Sequence, residues 1–151
     1  MAITNRGFYR MLSWSFRGAA RPSSFYVALV TDATPPDEGT VTMAELTQIA
    51  AGNGYTSGGI QLTANSTDFD TLTQDDAAGQ AYIQVRDVSW TASGGSIPPS
   101  GSGASYLVLT DDNATVNSRE VLGYWALGSA RIITVGRSMP VADLELYLSQ
   151  P

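Results

Sequence analysis

The pattern of hydrophobic and polar positions changes early in the chain, from the period of a helix to the period of strands. Large apolar residues recur at spacings of three and four over residues 5–18, which predicts a helix. Thr4 or Asn5 can cap its start, and Gly18 can end it. Its predicted apolar stripe consists of Phe8, Met11, Leu12 and Phe16, widened by Tyr9 and Trp14.

The rest of the chain is dominated by strand patterns. Residues 25–31 form an apolar and β-branched run without polar alternation, which predicts a strand buried on both faces. Residues 143–148 alternate strictly, which predicts that Leu144, Leu146 and Leu148 face the core. Further strands are predicted at residues 59–63, 81–91, 105–110, 120–127 and 131–135.

Three shorter segments interrupt this succession of strands. Residues 42–45 (Thr-Met-Ala-Glu) match a capping box and predict a helix of roughly two turns, closed by the glycines of residues 52–54. The apolar positions change parity at Arg86-Asp87, which predicts a β-bulge. Residues 93–103 are rich in Gly, Ser and Pro and predict an exposed loop with almost nothing to bury.

Together these elements predict a mainly β fold, because about seven strands follow one another with turn signals at short spacing. The predicted architecture is a single-domain antiparallel β-sandwich, or a jelly-roll-like variant, over residues 1–151. It carries the N-terminal helix and the one short capped helix. A chain of 151 residues is long enough to bury a core of its own.

Charge is scarce in this sequence. Charged residues make up 15 % of the chain, against about a quarter in typical soluble domains. All eight basic residues are Arg, and the net charge is −6, which argues against nucleic acid as a partner. Arg holds protein interfaces better than Lys because its planar group is weakly hydrated and binds bidentately. A compositional bias of the genome explains the absence of Lys equally well.

The residue types that are missing exclude most catalytic chemistry. The chain has no His and no Cys, so it lacks the commonest acid–base group, any thiolate nucleophile and any disulfide. A Ser nucleophile would lack its usual activating base, since Lys is missing too. We therefore predict that the protein is not an enzyme and that it uses no cofactor, no metal and no small-molecule substrate.

Acidic residues are the remaining candidates for a chemical site. They lie in three loops, as Asp68 and Asp70, Asp75 and Asp76, and Asp111 and Asp112. Paired carboxylates can hydrolyse glycosides or bind calcium, but none of these runs has the spacing of a calcium loop. Asp also favours turns, because its side chain bonds to nearby backbone. Turn capping is the favoured interpretation, with a structural cation or a catalytic role as the alternatives.

Aromatic residues on the predicted strands allow two interpretations. Tyr82, Trp90, Tyr106, Tyr124 and Trp125 fall on these strands. Such rings can stack on sugars in lectin-like sandwiches, and they can equally pack in a core or between subunits. Packing is the favoured interpretation.

No segment is long and apolar enough to predict a transmembrane helix. Arg6, Arg10 and Arg17 interrupt any apolar core of a signal peptide. We expect a protein that is made in the cytoplasm or is built into something assembled there.

Several segments together resemble small structural proteins of tailed-bacteriophage virions. They are FYVALVT, AELTQIAAGNGYTSGGIQL, the long block from DVSWTASGG to GYWALGS, and LELYL. The resemblance extends over residues 5–148, and it rests on the general pattern and not on a motif with chemical meaning.

Within that group the chain is most similar to capsid decoration, or cement, proteins, which are small, β-rich and commonly trimeric on the outer shell. The resemblance implies that the partners are the major capsid protein and copies of the chain itself. It also implies a place in the virion, assembled in the cytoplasm of a bacterial host. A tail, neck or baseplate component, such as a fibre adaptor, is the alternative. A carbohydrate-binding module for host attachment is a more distant one.

Two segments form the predicted partner interface. The N-terminal segment joins basic and aromatic side chains, and its arginines can pair with an acidic shell. The loop of residues 93–103 can reach a neighbour. The predicted contacts are Arg6, Phe8, Tyr9, Arg10, Trp14, Arg17, Arg21, Ile97, Pro98 and Pro99. The alternatives are that the helix only covers an open end of the sandwich and that the loop is a flexible connection.

Overall fold

Strands make up most of the regular structure in the computed structural model, which describes residues 2–149. The mainly β fold with an N-terminal helix is confirmed. The elements are β1 (Ala2–Ile3), α1 (Asn5–Phe16), β2 (Ser24–Val30), β3 (Ile60–Thr63), β4 (Thr71–Asp75), β5 (Gln80–Val85), β6 (Val88–Thr91), β7 (Ala104–Thr110), β8 (Val121–Arg131), β9 (Ser138–Val141) and β10 (Leu144–Ser149).

The strands form three antiparallel sheets. The largest has five strands in the order β1-β8-β7-β2-β3, the second has the order β10-β5-β4, and β6 pairs with β9 alone. In the large sheet Ala28 of β2 lies opposite Val108 of β7, which lies opposite Tyr124 of β8. The two smaller sheets share the connection at Arg86-Asp87, where the chain leaves β5 for β6. The predicted bulge there is wrong, because the parity change marks a change of sheet.

Strand β2 is buried on both faces, as its unbroken apolar run predicts. Its four residues Val27–Val30 are fully buried. Val27 and Leu29 face the main core, while Ala28 and Val30 pack in a smaller cluster with Met43 and Val121. Both faces of the large sheet are therefore covered at its centre.

The main core draws side chains from all three sheets. It includes Leu29 of β2, Val85 of β5, Trp90 of β6 and Leu144 of β10. This shared core supports a sandwich-like arrangement of the sheets. Jelly-roll-like connectivity stays a prediction.

The second predicted helix is shorter than expected. Of the predicted segment, only Met43–Glu45 forms a 3-10 turn, and the Glu45 carboxylate accepts the N–H of Thr42 at 2.9 Å as a capping box requires. The chain then extends, because its backbone pairs with β2: Thr31 N–H donates to Thr47 O at 2.8 Å, and Ile49 N–H donates to Leu29 O at 3.2 Å. Pairing with a buried strand outweighs the local helical signal.

Residues 131–135 were predicted as a strand, and they form none beyond the end of β8. Within them Ile133 makes a single bridge to Ile97. Strands β4 and β9 are not foreseen by the pattern, since β4 reads Thr-Leu-Thr-Gln-Asp and β9 contains Pro140. In β10, Leu144 and Leu146 are buried as predicted, whereas Leu148 is exposed because it lies on the open trough described below.

Candidate docking surface

Helix α1 is tied to the large sheet by its first residues. The Thr4 hydroxyl accepts the N–H of Gly7 at 2.9 Å, which confirms Thr4 as the cap, and it donates to Val121 O at 2.5 Å. The Asn5 N–H donates to Glu38 O at 2.8 Å. The helix therefore starts at a fixed point above β8. It ends at Phe16, with Arg17 as the cap.

Gly7 fixes which side of the helix faces the sheet. A Cβ atom built at Gly7 would lie 2.1 Å from the carbonyl oxygen of Leu122 on β8. The helix thus crosses β8 at a distance that only glycine allows. Because Gly7 points inward, residues on the opposite side of the helix must point outward.

A cluster around Glu120 fixes the same rotation. The Glu120 carboxylate accepts hydrogen bonds from Arg6 and from Arg10, whose Nη2 lies 2.7 Å away. The bond from Arg10 holds the pKa of Glu120 below its usual value, and the same bond raises the pKa of Arg10. Arg6 and Arg10 were predicted to pair with an acidic partner. Both are paired with Glu120 inside the molecule, and their contact with a partner stays a prediction.

The large apolar side chains of α1 consequently face solvent. We call Phe8, Tyr9, Leu12 and Phe16 the outer stripe; they are 43 %, 56 %, 58 % and 79 % exposed. Phe8, Leu12 and Phe16 are spaced by four and lie on one face. Phe8 and Tyr9 of this stripe are predicted from the sequence as partner contacts, and the stripe lies outside because Gly7 and the arginines occupy the inner side.

Met11 and Trp14 are half-buried and face the body of the protein. The Trp14 ring packs edge-on against Phe25, with centroids 6.2 Å apart, and Phe25 packs in the same way against Phe69 at 5.5 Å. This aromatic row forms one wall of an opening between the large sheet and the sheet β10-β5-β4.

That opening is an apolar trough made of two neighbouring cavities. The larger, of about 400 Å³, reaches from Trp14 and Phe25 to Leu72 and Leu146. The smaller, of about 160 Å³, continues to Tyr82 and Leu148. The residues common to both linings are Met11, Leu72, Ile83 and Leu146. Native cores leave few voids larger than a water molecule, so the trough is a large uncovered apolar space for a chain of this size.

The outer stripe and the trough adjoin each other. Met11 lines both cavities, and Phe8 lies three residues away on the same helix, which makes the two side chains neighbours. Six of the nine exposed large hydrophobic side chains among residues 2–149 belong to this side of the molecule: Phe8, Tyr9, Leu12, Phe16, Leu72 and Leu148. Contiguous apolar patches of this kind mark interaction sites.

The charged residue that lines the trough is Arg21, at the larger cavity. Helix α1 contains no acidic residue, and Arg17 and Arg21 beyond its end are exposed and make no salt bridge within residues 2–149. The strands β4, β5 and β10 contain Asp75 and Glu145 and no basic residue. Glu145 alternates with Leu144 and Leu146, so its side chain lies on the face of the sheet opposite the trough, and neither acidic residue lines the two cavities.

The loop of residues 93–103 does not have the exposure predicted for it. Ile97 is 1 % exposed and Pro98 is buried, while Pro99 is exposed. Ile97 exchanges two backbone hydrogen bonds with Ile133, at 2.9 and 2.8 Å, and the Asn53 amide donates to Ser96 O at 2.9 Å. The prediction of Ile97 and Pro98 as partner contacts is wrong, because both belong to the interior.

The two tryptophans considered for sugar binding are not free platforms. Trp90 and Trp125 are 3 % and 8 % exposed. Trp125 donates its indole N–H to Glu145 O at 3.1 Å. Stacking on a sugar needs an exposed ring face, so these two tryptophans act in packing.

Three acidic residues cap turns, as favoured from the sequence. Asp68 accepts the Thr63 N–H at 2.7 Å, which lowers its pKa, and it also pairs with Arg86. Asp75 accepts the N–H of Ala78, and Asp111 accepts the N–H of Asn113 at 3.5 Å and closes the loop before β8 by accepting the N–H of Glu120. Within residues 2–149 no three acidic side chains are gathered as a metal site would need.

No family model matches the chain, and neither a curated protein nor a solved structure matches it. Among the residues described, no helix combines the length and the apolar character needed to cross a membrane.

The sequence analysis did not predict the trough or the rotation of helix α1. Leu72, an isolated apolar residue between two threonines, gives no signal of its own, yet it is 78 % exposed at the trough. Gly7 could have indicated which side of the helix faces the sheet, since a glycine inside a helix often marks close packing.

Proposed function

We propose that this chain is a structural component of a tailed-bacteriophage virion, and specifically a capsid decoration protein. It binds the assembled shell and stabilises it through contacts with the major capsid protein and with copies of itself, as a trimer. It carries out no catalysis. The resemblance of residues 5–148 to small virion proteins supports this proposal.

The observation that carries the proposal is the uncovered apolar side formed by the outer stripe and the trough. An isolated soluble protein rarely leaves side chains such as Leu12, Phe16 and Leu72 more than half exposed on one side. In a protein that packs against neighbouring subunits, those subunits would cover the exposed apolar side chains. The low charge content points the same way, because few charges must be desolvated when neighbours pack.

Stabilisation of the shell follows from mass action. A protein that binds the assembled shell and not its free subunits favours assembly by about 2.7 kcal/mol per site when it is present at 100 times its Kd. Repeated over a lattice, modest contacts give a large total effect.

The test uses expanded heads purified from a phage that lacks this chain. Purified protein is added, bound copies per capsid hexamer are measured, and the heads are heated to find their disruption temperature. We expect saturable binding and a higher disruption temperature. Unexpanded proheads serve as the matched control and should bind little. Absence from heads together with co-purification with tails would replace decoration by a tail role.

A further inference from the structure

We propose that the apolar trough binds a single fatty carboxylate, with the head group at Arg21 and the alkyl chain running toward Leu148. This inference goes beyond the proposed function and does not depend on it, because the outer stripe stays free to pack against neighbouring subunits. It concerns binding without a reaction. It can be tested on the free protein, without shells.

The trough has the size and the walls of a ligand site. Its two cavities measure about 400 Å³ and about 160 Å³, and ligand sites span roughly 300–1,000 Å³ with mainly apolar walls. Met11, Leu72, Ile83 and Leu146 line both cavities, so the apolar surface is continuous from one to the other. An alkyl chain has no polar atom to satisfy, and placing it there removes apolar area of both chain and trough from water.

The polar groups of the trough lie at one end. The polar and charged side chains that line the larger cavity are Arg21, Asn65 and Ser66, and none of them lines the smaller cavity. They lie together because the N–H of Ala64 donates to Ser23 O at 3.0 Å, and this antiparallel pairing brings residues 65 and 66 beside residues 22 and 21. A site that is polar at one end and apolar at the other has the polarity of an amphiphile.

This polar end offers hydrogen-bond donors. The Oδ1 atom of Asn65 accepts the N–H groups of Thr67 and Asp68, both at 2.9 Å, which leaves its Nδ2 group as the donor for a ligand. Arg21 is exposed and makes no salt bridge within residues 2–149. The Arg guanidinium and the Asn nitrogen only donate, and the Ser66 hydroxyl can donate as well. An anionic oxygen accepts from all three, and such charge-assisted bonds are the stronger kind.

The sign of the charge in the trough favours a carboxylate. Among residues 2–149, no acidic side chain lines either cavity. Asp111 and Asp112 line a separate opening, which Arg10 and Arg21 also border. In the trough an ammonium head group would therefore be repelled by Arg21, a neutral alcohol would lack the attraction, and a carboxylate would be attracted.

A lipid bilayer would use a different part of this side. A bilayer contacts side chains that project from a helix, such as Leu12 and Phe16 of the outer stripe. The trough is recessed between two sheets, and its polar end and apolar end suit one chain that enters it from solution. The two occupants therefore depend on different residues.

The experiment titrates the full chain with dodecanoate, below the concentration at which micelles form, by isothermal titration calorimetry. The head-group variant is Arg21→Gln, and its matched control is Arg17→Gln, at an exposed arginine that lines neither cavity. The trough variant is Leu72→Asp, and its matched control is Leu12→Asp on the outer stripe. Both leucines are more than half exposed, so folding should be retained, which circular dichroism checks.

We expect saturable binding of dodecanoate to the wild type and to both controls. Affinity should fall about tenfold in Arg21→Gln, because a charge-assisted bond is lost. It should fall by more than about tenfold in Leu72→Asp, which places a charge of the ligand's own sign in the apolar trough. Octanoate should bind about fourfold more weakly for each methylene that it lacks. Dodecanol should bind more weakly than dodecanoate, and dodecyltrimethylammonium more weakly still.

Four results would overturn the inference: no binding of dodecanoate, equal binding of dodecyltrimethylammonium, equal losses in Arg21→Gln and Arg17→Gln, or wild-type affinity in Leu72→Asp. Binding to phosphatidylglycerol vesicles that is lost in Leu12→Asp, without binding of free dodecanoate, would assign this side to a membrane instead. A protein that binds dodecanoate and does not bind heads would contradict the proposed function and leave this inference standing. Decorated heads without dodecanoate binding would do the opposite.

Discussion

Helix α1 and the loop of residues 93–103 are attached to the same core, but they leave different side chains in solvent. The helix is held by polar contacts through Thr4 and Glu120 and by the packing of Met11 and Trp14, and it leaves Phe8, Leu12 and Phe16 in solvent. The loop is held by the buried side chains of Ile97 and Pro98 and leaves Ser93, Gly94 and residues 100–102 outside. Where polar contacts help to hold an element, its apolar side chains can stay exposed for a partner. Where apolar side chains hold it, they are buried and no partner can reach them. A docking element is therefore better recognised by how it is held than by its average composition.

The largest expected effect comes from removing the anchor of the loop. Ile97→Ala leaves a cavity in the main core and should lower the free energy of unfolding by about 4 kcal/mol. Chemical denaturation followed by tryptophan fluorescence measures the change. The neighbouring exposed Pro99, substituted by Ala, should alter stability far less. Equal effects at both positions would mean that the loop is not anchored by Ile97.

A slightly smaller decrease in the free energy of unfolding is expected for a substitution at Gly7, where the helix crosses β8. Gly7→Ala places a methyl group 2.1 Å from the Leu122 oxygen, so helix or strand must move, at a cost of about 3 kcal/mol. In most exposed helix positions the same substitution would stabilise the helix. Ser15→Ala, on the solvent side of α1, is the control and should be neutral or stabilising. Stabilisation by Gly7→Ala would show that the close crossing does not determine the rotation of the helix.

Removing the ion pairs of Glu120 should lower the free energy of unfolding by a smaller amount. Glu120→Gln removes charge-assisted bonds to Arg6 and Arg10 and should lower stability at neutral pH by about 2 kcal/mol. Exposed Glu38, whose side chain makes no hydrogen bond within residues 2–149, provides the control as Glu38→Gln. Thermal unfolding of both variants at neutral pH gives the comparison.

The ion pairs of Glu120 also make the free energy of unfolding depend on pH. The pKa of Glu120 is lowered in the folded protein, so the unfolded chain binds more protons. The stability from Glu120 is thus present above the usual carboxyl pKa and is lost as the pH falls through the lowered value. Burial raises the pKa of Asp111, whose contribution runs in the opposite sense. Glu120→Gln should therefore flatten the decrease in stability between neutral and acid pH, and an unchanged slope would contradict the pairing.

The smallest effect on stability belongs to the stripe itself. Phe16 is 79 % exposed, so Phe16→Ser should change the free energy of unfolding by less than about 0.5 kcal/mol. Self-association of the same variant, measured by sedimentation, should decrease. A large loss of stability would place Phe16 in the core of the monomer and remove the contrast between helix and loop.

Local patterns predicted the elements that a local cause determines. The unbroken run of β2, the alternation at Leu144 and Leu146, and the cap at Thr4 follow from neighbouring residues, and all three are confirmed. The rotation of α1 and the burial of Ile97 depend on contacts with β8 and with Ile133, which lie far away in sequence. The period of hydrophobic residues predicts that the helix carries an apolar stripe. It does not predict which side of the helix packs against the rest of the protein.

The short turn at Met43–Glu45 illustrates the same limit. Its capping residues were recognised, but its length was not, because the following residues pair with β2. The candidate surface was identified in part: Phe8, Tyr9, Arg17 and Arg21 are exposed near α1 as expected. Its other half, the trough, arises where two sheets separate, and no single segment encodes that gap.

The position of Trp14 supplies a built-in optical probe. Of the three tryptophans, Trp90 and Trp125 are enclosed, whereas Trp14 is half-buried in the wall of the trough. A collisional quencher such as acrylamide should reach Trp14 and largely spare the other two. Quenching of the intrinsic fluorescence thus reports whether the trough is open or filled, without a label and at concentrations too low for scattering.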